Sequence, residues 1–313
     1  MTKYLLKRVL MSILVIFVIA TLTFWLARAV PGGPFNRERP LPAKVLENLN
    51  RKYNLDLPIF QQYLVFMGNV AKFDFGASYS QTETVNELIA MRFPVSLDLG
   101  MLAFVLSIAL GIPLGIVSAL REQKVTDGLV KILTTLLISI PNFVVAALMM
   151  YFLGVKYQIL PVAMWGTWKH AVMPIIALAT YPLATITKYM RASMLEVLDA
   201  DYVRTAKAKG ASSFLVTYKH ALKNALLPIL TVSGPMFVNI ICGSFVVEQL
   251  FAVPGLGQMF VKGVLGRDYA LIMGLTVFYA VILIAMLLLV DVLYVIVDPR
   301  IKISQDSKSA QGV

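Results

Sequence analysis

The run Leu271–Val297, LIMGLTVFYAVILIAMLLLVDVLYVIV, holds one charged residue, Asp291, among its 27 positions. As an α-helix it would be about 40 Å long, because each residue adds about 1.5 Å. The hydrocarbon core of a bilayer is about 30 Å thick. Lipid offers no hydrogen-bond partner to an open backbone, so the run predicts a helix that crosses a membrane.

Similar apolar runs fill much of the chain. They are Val9–Ala29, Val95–Leu120, Leu129–Gly154, Val172–Met190 and Leu226–Leu250. Pro113 interrupts one run and Pro174 and Pro182 another, and such kinks are tolerated in membrane helices. Gly111 and Gly115 form a GxxxG pattern that is typical of close helix packing. The sequence therefore predicts an all-α integral membrane protein with six transmembrane helices.

The composition agrees with this class. The chain has 313 residues, of which 58% are hydrophobic and 14% charged, with a mean hydropathy of +0.77. A soluble domain is closer to half apolar and a quarter charged. The net charge of +11 does not indicate nucleic-acid binding, because the basic residues flank apolar runs instead of covering one face. The single cysteine, Cys242, lies in an apolar run and is expected to pack there.

The first run could be a cleaved signal or a retained span. Lys3, Lys7 and Arg8 precede it, and Ala27-Arg28-Ala29 resembles a signal-peptidase site. A cleaved signal has an apolar core of about 7–15 residues, and this run is longer. We expect a retained first span.

The positive charges predict the orientation. Lysines and arginines are enriched in the segments 1–8, 121–128, 191–225 and 298–313, and the short loops between them hold few. Positive loops stay inside, so both the N- and C-termini are expected to be cytoplasmic. The predicted divisions are 1–94, with the first span and an external segment; 95–298, a five-helix core; and 299–313, a cytoplasmic tail.

The external segment carries helical patterns. Val45, Leu49 and Tyr53 recur at four-residue spacing, and an apolar stripe follows Pro58. We expect two short amphipathic helices, with Pro58 at the start of the second. They could form a cap on the bundle or a contact surface for an external partner.

The loop 191–225, called the charged loop below, has more organisation than a topological signal needs. Residues 201–210 read DYVRTAKAKG, with an acid first, bases last and a glycine after them. This order predicts a short helix with a favourable dipole and a glycine C-cap at Gly210. Ser212 or Ser213 could cap a second helix that covers Phe214–Asn224.

The charged loop also resembles a known family signature. Residues 201–210 and 220–228, HALKNALLP, are similar to the cytoplasmic signature of ABC importer permeases, closest to the peptide and nickel branch. The general pattern has Glu-Ala-Ala six residues before the glycine, where this chain has Arg204-Thr205-Ala206. That departure is usual in the peptide branch and argues against sugar or amino-acid importers.

Further stretches extend the resemblance over nearly the whole chain. They are Pro31–Phe35, Lys52–Leu55, Phe73–Gly76, Phe93–Ser96, Arg191–Leu198, Val253–Gly257, Arg267–Tyr269 and Asp298–Ile301. Together they resemble the B-type oligopeptide permease more than the dipeptide one, and dipeptide and nickel importers remain alternatives. The resemblance implies a type I ABC importer permease fold in the inner membrane.

The resemblance also implies a division of labour among subunits. This chain would pair with a second, C-type permease, dock on one of two ATP-binding subunits and receive peptide from an external binding protein. The implied docking residues are Asp201, Tyr202, Val203, Arg204, Thr205, Ala206, Lys207, Lys209 and Gly210. A gate or substrate path is expected at Glu248, Pro254, Gly255 and Gly257.

No residue set predicts chemistry in this chain. The sequence has no GxxxxGK[ST] nucleotide-binding loop, and its histidines, His170 and His220, form no metal-spaced cluster. We expect no cofactor on this chain, with ATP and Mg²⁺ in the partner subunits. A secondary transporter is the rival from another class, but we find neither an inverted repeat nor an ion site in mid-membrane.

Overall fold

The computed structural model describes residues 2–29, 33–35, 42–243 and 245–297. Loops and helices account for these residues, with one isolated β-bridge between Ala77 and Thr84. The helices are α1 Thr2–Ala29, α2 Ala43–Lys52, α3 Ile59–Ala71, α4 Val85–Leu120, α5 Val125–Ser139, α6 Asn142–Met149, α7 Trp168–Leu198, α8 Asp201–Ala208, α9 Ser213–Leu215, α10 Leu222–Ala225, α11 Leu227–Gly243, α12 Phe245–Leu250, α13 Leu256–Leu265 and α14 Tyr269–Val297. Met150–Lys156 and Val216–Ala221 are π-helical.

Five stretches of the described chain are long and apolar enough to cross a membrane. They are Leu6–Ala29, Val85–Leu120, Trp168–Leu198, Leu227–Leu250 and Tyr269–Val290. A sixth crossing requires Val125–Ser139 and Asn142–Lys156 to count as one span bent by 97°. The predicted third span, Leu129–Gly154, is therefore broken. Pro141 explains the break, because a proline disfavours the helical conformation of the residue before it, and Ile140 is extended with φ −91° and ψ 120°.

Several predicted boundaries move. α4 begins at Val85, ten residues before the predicted second span, and Pro94 lies inside it. α7 continues from the predicted end at Met190 to Leu198 with Pro174 and Pro182 inside. The two short helices predicted for residues 30–94 are present as α2 and α3, and Pro58 occupies the N-cap of α3 as predicted. The predicted tail, 299–313, lies outside the described residues.

The chain divides into two compact units, whose boundaries fall inside α4 and α14 and next to α13. Unit 1 comprises Met1–Ser96 and Pro254–Ala285, and unit 2 comprises Leu97–Val253 and Met286–Val313. The stretch 254–285 thus joins the first span and the external segment in one unit.

Unit 1 is fastened by the buried carboxylate of Asp268. Its Oδ2 accepts hydrogen bonds from the Ser78 hydroxyl at 2.5 Å, the Tyr79 amide at 2.9 Å, and the amide and hydroxyl of Ser80 at 3.0 and 2.8 Å. Its Oδ1 accepts the Leu271 amide at 3.0 Å in the first turn of α14. Asp268 therefore caps α14 and fixes the loop before α4 at the same time.

Unit 2 is organised around α7. In its most apolar stretch 61% of the residues are buried inside the chain, against 11% for α1. The predicted GxxxG contact is present, because Gly111 and Gly115 of α4 face α7. A Cβ on Gly115 would lie 2.5 Å from the Met190 Cβ and 2.8 Å from the Thr187 carbonyl oxygen. Only a residue without a side chain allows this approach of the two helices.

Candidate functional site

The charged loop contains the predicted capped helix. α8 begins at Asp201, and Gly210 after its end has φ +84°. The Ala211 amide donates to the Ala206 carbonyl at 3.1 Å, and the Lys209 amide to the Thr205 carbonyl at 3.1 Å. The first of these bonds is the long bond of a Schellman motif, in which glycine is favoured because φ is positive.

The second helix of the loop is also present, in a modified form. It starts at Ser213 and contains a π-helical stretch before α10. The Ser212 hydroxyl accepts the Leu215 amide at 3.3 Å, so Ser212 provides the predicted N-cap. The side chain of Ser213 lies outside the described residues.

The two faces of α8 differ. Val203 is fully buried, so it packs inside this chain and is not available to a partner. Tyr202 is 45% exposed, and its hydroxyl accepts a hydrogen bond of 2.7 Å from the Asn224 amide. Arg204 and Lys209 are exposed as well. The side chain of Lys207 lies outside the description. α8 therefore presents one aromatic and one basic side chain, and Lys209 just after its end adds a second basic one. Val203 packs the helix against the rest of the chain.

Two further aromatic side chains of the charged loop are exposed and were not predicted. Phe214 is 70% and Tyr218 51% exposed, and their ring centroids are 4.5 Å apart. Exposed aromatic and arginine side chains are typical of protein–protein interfaces. The signal in the sequence was the pair of aromatics four residues apart on a polar helix.

The charged loop packs firmly on the spans. Ala221 and Ala225 of its second helix belong to a buried cluster with Met190 and Met194 of α7 and Ile229 of α11. A displacement of this helix must therefore move α7 and α11, because a close-packed core transmits strain.

A buried ion pair lies where α7 approaches the charged loop. Arg191 binds Asp127 of α5 through Nε at 2.7 Å and a terminal nitrogen at 2.9 Å. The Ser118 hydroxyl at 2.6 Å and the Lys131 ammonium at 2.8 Å also bind this carboxylate. Asp127 was not predicted from the sequence, because its only signal was an acid in the first turn of an apolar helix.

The residues predicted to form a gate are divided between the two units, Glu248 in unit 2 and Pro254, Gly255 and Gly257 in unit 1. Glu248 of α12 is fully buried in unit 2. In unit 1 the Leu256 amide donates to the Ser96 hydroxyl at 2.8 Å, and Arg92 reaches the Pro254 carbonyl at 3.5 Å. Gly255, the N-cap of α13, is extended with φ −98°, and Gly257 is buried in that helix. The turn is anchored to α4, and its role as a gate stays a prediction.

A hollow of about 300 Å³ opens beside the break between α5 and α6. Its lining includes the polar side chains of Asn142, Tyr181 and Asn239, next to Pro141 and Pro182. These residues come from the middle of three successive spans. Irregular backbone at membrane depth is tolerated where it lines a cavity or is covered by protein. This hollow was not predicted, although Pro141-Asn142 inside an apolar run was a signal in the sequence.

The sequence of this chain matches known transport proteins. Residues 111–303 match the family model of the binding-protein-dependent transport system inner membrane component, and residues 1–100 match the model of its N-terminal region. The dipeptide transport system permease protein DppB of Bacillus subtilis is 46% identical over 97% of this chain and 99% of its own. The oligopeptide transport system permease protein OppB of Escherichia coli K12 is 41% identical over 96% and 100%.

Solved structures agree on the fold. One chain of an inward-facing structure of the MetNI methionine ABC transporter aligns over its full length with 70% of this chain. The TM-score is 0.57 and the sequence identity is 16%. The five or six apolar spans, the match of both family models and the full-length relatives lead to one conclusion. This chain is an integral membrane protein of the family of inner membrane components of binding-protein-dependent transport systems.

Proposed function

We propose that this chain is the permease subunit of an ATP-driven importer of short peptides. Its relatives at 40–46% identity include permeases of dipeptide and of oligopeptide transport systems, each matched over nearly its full length. The substrate class therefore covers dipeptides and longer oligopeptides, with nickel as the alternative inside the same branch. The chain forms one half of the translocation path, and a second permease forms the other half.

The observation that carries this proposal is the exposed face of α8. An isolated helix of eight residues is unstable in water, yet this one is capped at Gly210 and packed through Val203. Tyr202 and Arg204 of this helix and Lys209 just after it are exposed and available to a soluble partner. We assign that partner as the ATP-binding subunit, with the charged loop and both termini in the cytoplasm. Positive charges here guide docking more than they set affinity.

The path follows from the same geometry. Exposed polar side chains in the middle of a span are costly in lipid, so they face a cavity or another subunit. The hollow with Asn142, Tyr181 and Asn239 fits a path for peptides, because neutral amides and a hydroxyl can bind peptide groups without selecting side chains. The chain supplies movement and lining, whereas ATP and Mg²⁺ bind in the partner subunits.

Purification and reconstitution test the proposal. After mild-detergent extraction, the tagged chain should retain a second permease and ATP-binding subunits. The reconstituted complex, with its external binding protein, should take up a labelled peptide only when ATP is inside. Uptake of nickel without peptide would support the alternative substrate. Uptake by the single chain without ATP would instead support a secondary transporter and contradict the proposal.

A further inference from the structure

A pocket of about 190 Å³ lies in unit 1 at the C-terminal end of α1. Its charged lining residues are Arg28 and Lys52, and no aspartate or glutamate occurs among the described residues that line it. Asn54, Gln62 and Asn69 contribute neutral amides. Two cations in a pocket without a carboxylate indicate an anionic ligand.

Arg28 contacts two aromatic rings, but one nitrogen of its guanidinium group has no acceptor among the described residues. Its guanidinium carbon is 5.5 Å from the centre of the Phe24 ring and 5.9 Å from that of Tyr269. Its Nε is buried, and none of the described residues provides it with a hydrogen-bond acceptor. A buried donor without an acceptor destabilises the fold. An anionic oxygen at this point would remove that cost.

Gln62 specifies the second group of the ligand. Its Nε2 donates to the carbonyl oxygens of Leu55 at 3.2 Å and Leu57 at 2.8 Å, which fixes the orientation of the amide. Its Oε1 is buried and has no donor among the described residues. The ligand should therefore combine an anion with a hydroxyl or ammonium group.

The surroundings of the pocket indicate an amphiphile. Val65 lines the pocket and is 41% exposed, and Phe60 and Leu64 on the same helix are 61% and 53% exposed. On α1, Leu26 is 67% exposed. Arg28 is in the last turn of a membrane-crossing helix, at the depth where lipid headgroups lie. Acyl chains could cover these apolar side chains while the headgroup enters the pocket.

We propose that this pocket binds the headgroup phosphate of a membrane phospholipid. Arg28 and Lys52 bind the phosphate oxygens, and Gln62 accepts a hydrogen bond from the hydroxyl or ammonium of the headgroup. The Tyr79 phenol also lines the pocket, and burial raises its pKa to about 12, so it remains a donor at neutral pH. The bound lipid would attach α1 and the external helices to one another at the membrane surface.

Native mass spectrometry of the purified, delipidated complex tests this site. Phosphatidylethanolamine is titrated into wild type and into Arg28→Gln and Lys52→Gln, and each substitution should weaken the strongest lipid site by about tenfold. Arg51→Gln is the matched control. This substitution removes the same charge at the neighbouring position. Arg51, however, pairs with Glu47 at 2.8 Å and does not line the pocket. Its lipid affinity should equal that of wild type.

A competition experiment distinguishes a lipid headgroup from free phosphate as the ligand of the pocket. Inorganic phosphate and glycerol phosphate should displace the lipid only at far higher concentration, because they cannot cover the apolar side chains. Equal displacement would overturn the lipid assignment. Equal lipid affinity in Arg28→Gln, Lys52→Gln and Arg51→Gln would show that the pocket is not the lipid site. If Arg28→Gln does not fold, the comparison of Lys52→Gln with Arg51→Gln decides between the same two outcomes.

Discussion

The guanidinium of Arg191 and the carboxylate of Asp127 form a bidentate pair at 2.7 and 2.9 Å across 64 residues of sequence. Asp127 is fully buried at the start of α5, and Arg191 is the first residue of the charged loop, in the part of the loop that continues α7. The pair therefore links two helices of unit 2 at the base of the loop that we propose to dock on the ATPase.

Asp127→Asn should destabilise the complex by about 3 kcal/mol, because the substitution leaves the Arg191 charge without its buried partner. Thermal unfolding of the purified complex measures the effect. Glu122→Gln is the control, since Glu122 is 3.9 Å from Arg191 and half exposed, so its loss should cost less than about 1 kcal/mol. Equal melting temperatures for the two variants would show that the buried pair has no special role.

Substitutions at Gly210 should uncouple ATP hydrolysis from uptake. A residue with a Cβ at φ +84° is strained although no atom lies within 4 Å, at a cost of about 1–2 kcal/mol for alanine and more for valine. Asparagine tolerates this conformation. Peptide uptake in proteoliposomes should therefore be reduced least by Gly210→Asn, more by Gly210→Ala and most by Gly210→Val. ATP hydrolysis should continue in all three variants.

Gly68→Val is the control for Gly210, because Gly68 in α3 also has open space around it but no positive φ. Its uptake should stay close to wild type. Normal uptake by Gly210→Val would contradict the proposed role of the capped helix.

Gly115→Ala should weaken the packing of α4 on α7. The added methyl would overlap the Met190 side chain, and overpacking of this kind costs about 1–3 kcal/mol. The melting temperature of the complex should fall. Gly68→Ala should leave it unchanged or raise it, since alanine favours a helix by up to about 1 kcal/mol over glycine. A stable Gly115→Ala protein would mean that α4 and α7 can separate at little cost.

Replacing Asn142 or Asn239 by leucine should lower peptide uptake while the subunits still assemble. Leucine has a similar size but binds no peptide group, so the hollow beside Pro141 would lose its polar lining. Uptake and co-purification are measured on the same preparations. Ser139→Ala is the control, because that hydroxyl bonds the Thr135 carbonyl of its own helix at 2.8 Å. Wild-type uptake by both leucine variants would exclude the hollow from the path.

Asp268→Asn should release the loop before α4. The carboxylate accepts four hydrogen bonds from residues 78–80, and an amide can replace only part of them. Losing one charged acceptor typically costs about 1.5–3 kcal/mol. Limited proteolysis should then cut within residues 72–84 faster than in wild type. Asp56→Asn, at an exposed position, should leave the cleavage rate unchanged.

Local sequence was sufficient for the features that depend on neighbouring residues. The apolar runs indicated the membrane class, Pro58 marked the start of α3, and the order of acid, bases and glycine predicted α8 and its cap. Hydropathy could not show the break after Ile140. Pro141 lies in an apolar run, and the mean hydropathy of that run does not change when one residue is extended. The predicted start of the second span at Val95 was wrong, because Pro94 lies inside α4 and does not end the helix there.

The sequence by itself determined that this chain crosses a membrane several times and exposes a capped, basic helix, because hydropathy and capping act over a few residues. Only the tertiary structure decided that Val203 turns inward and that Asp127 meets Arg191. The same holds for Asp268, which binds Ser78 across 190 residues. Such partners depend on how the helices pack. The sequence around a charged residue does not indicate which distant group will be buried next to it.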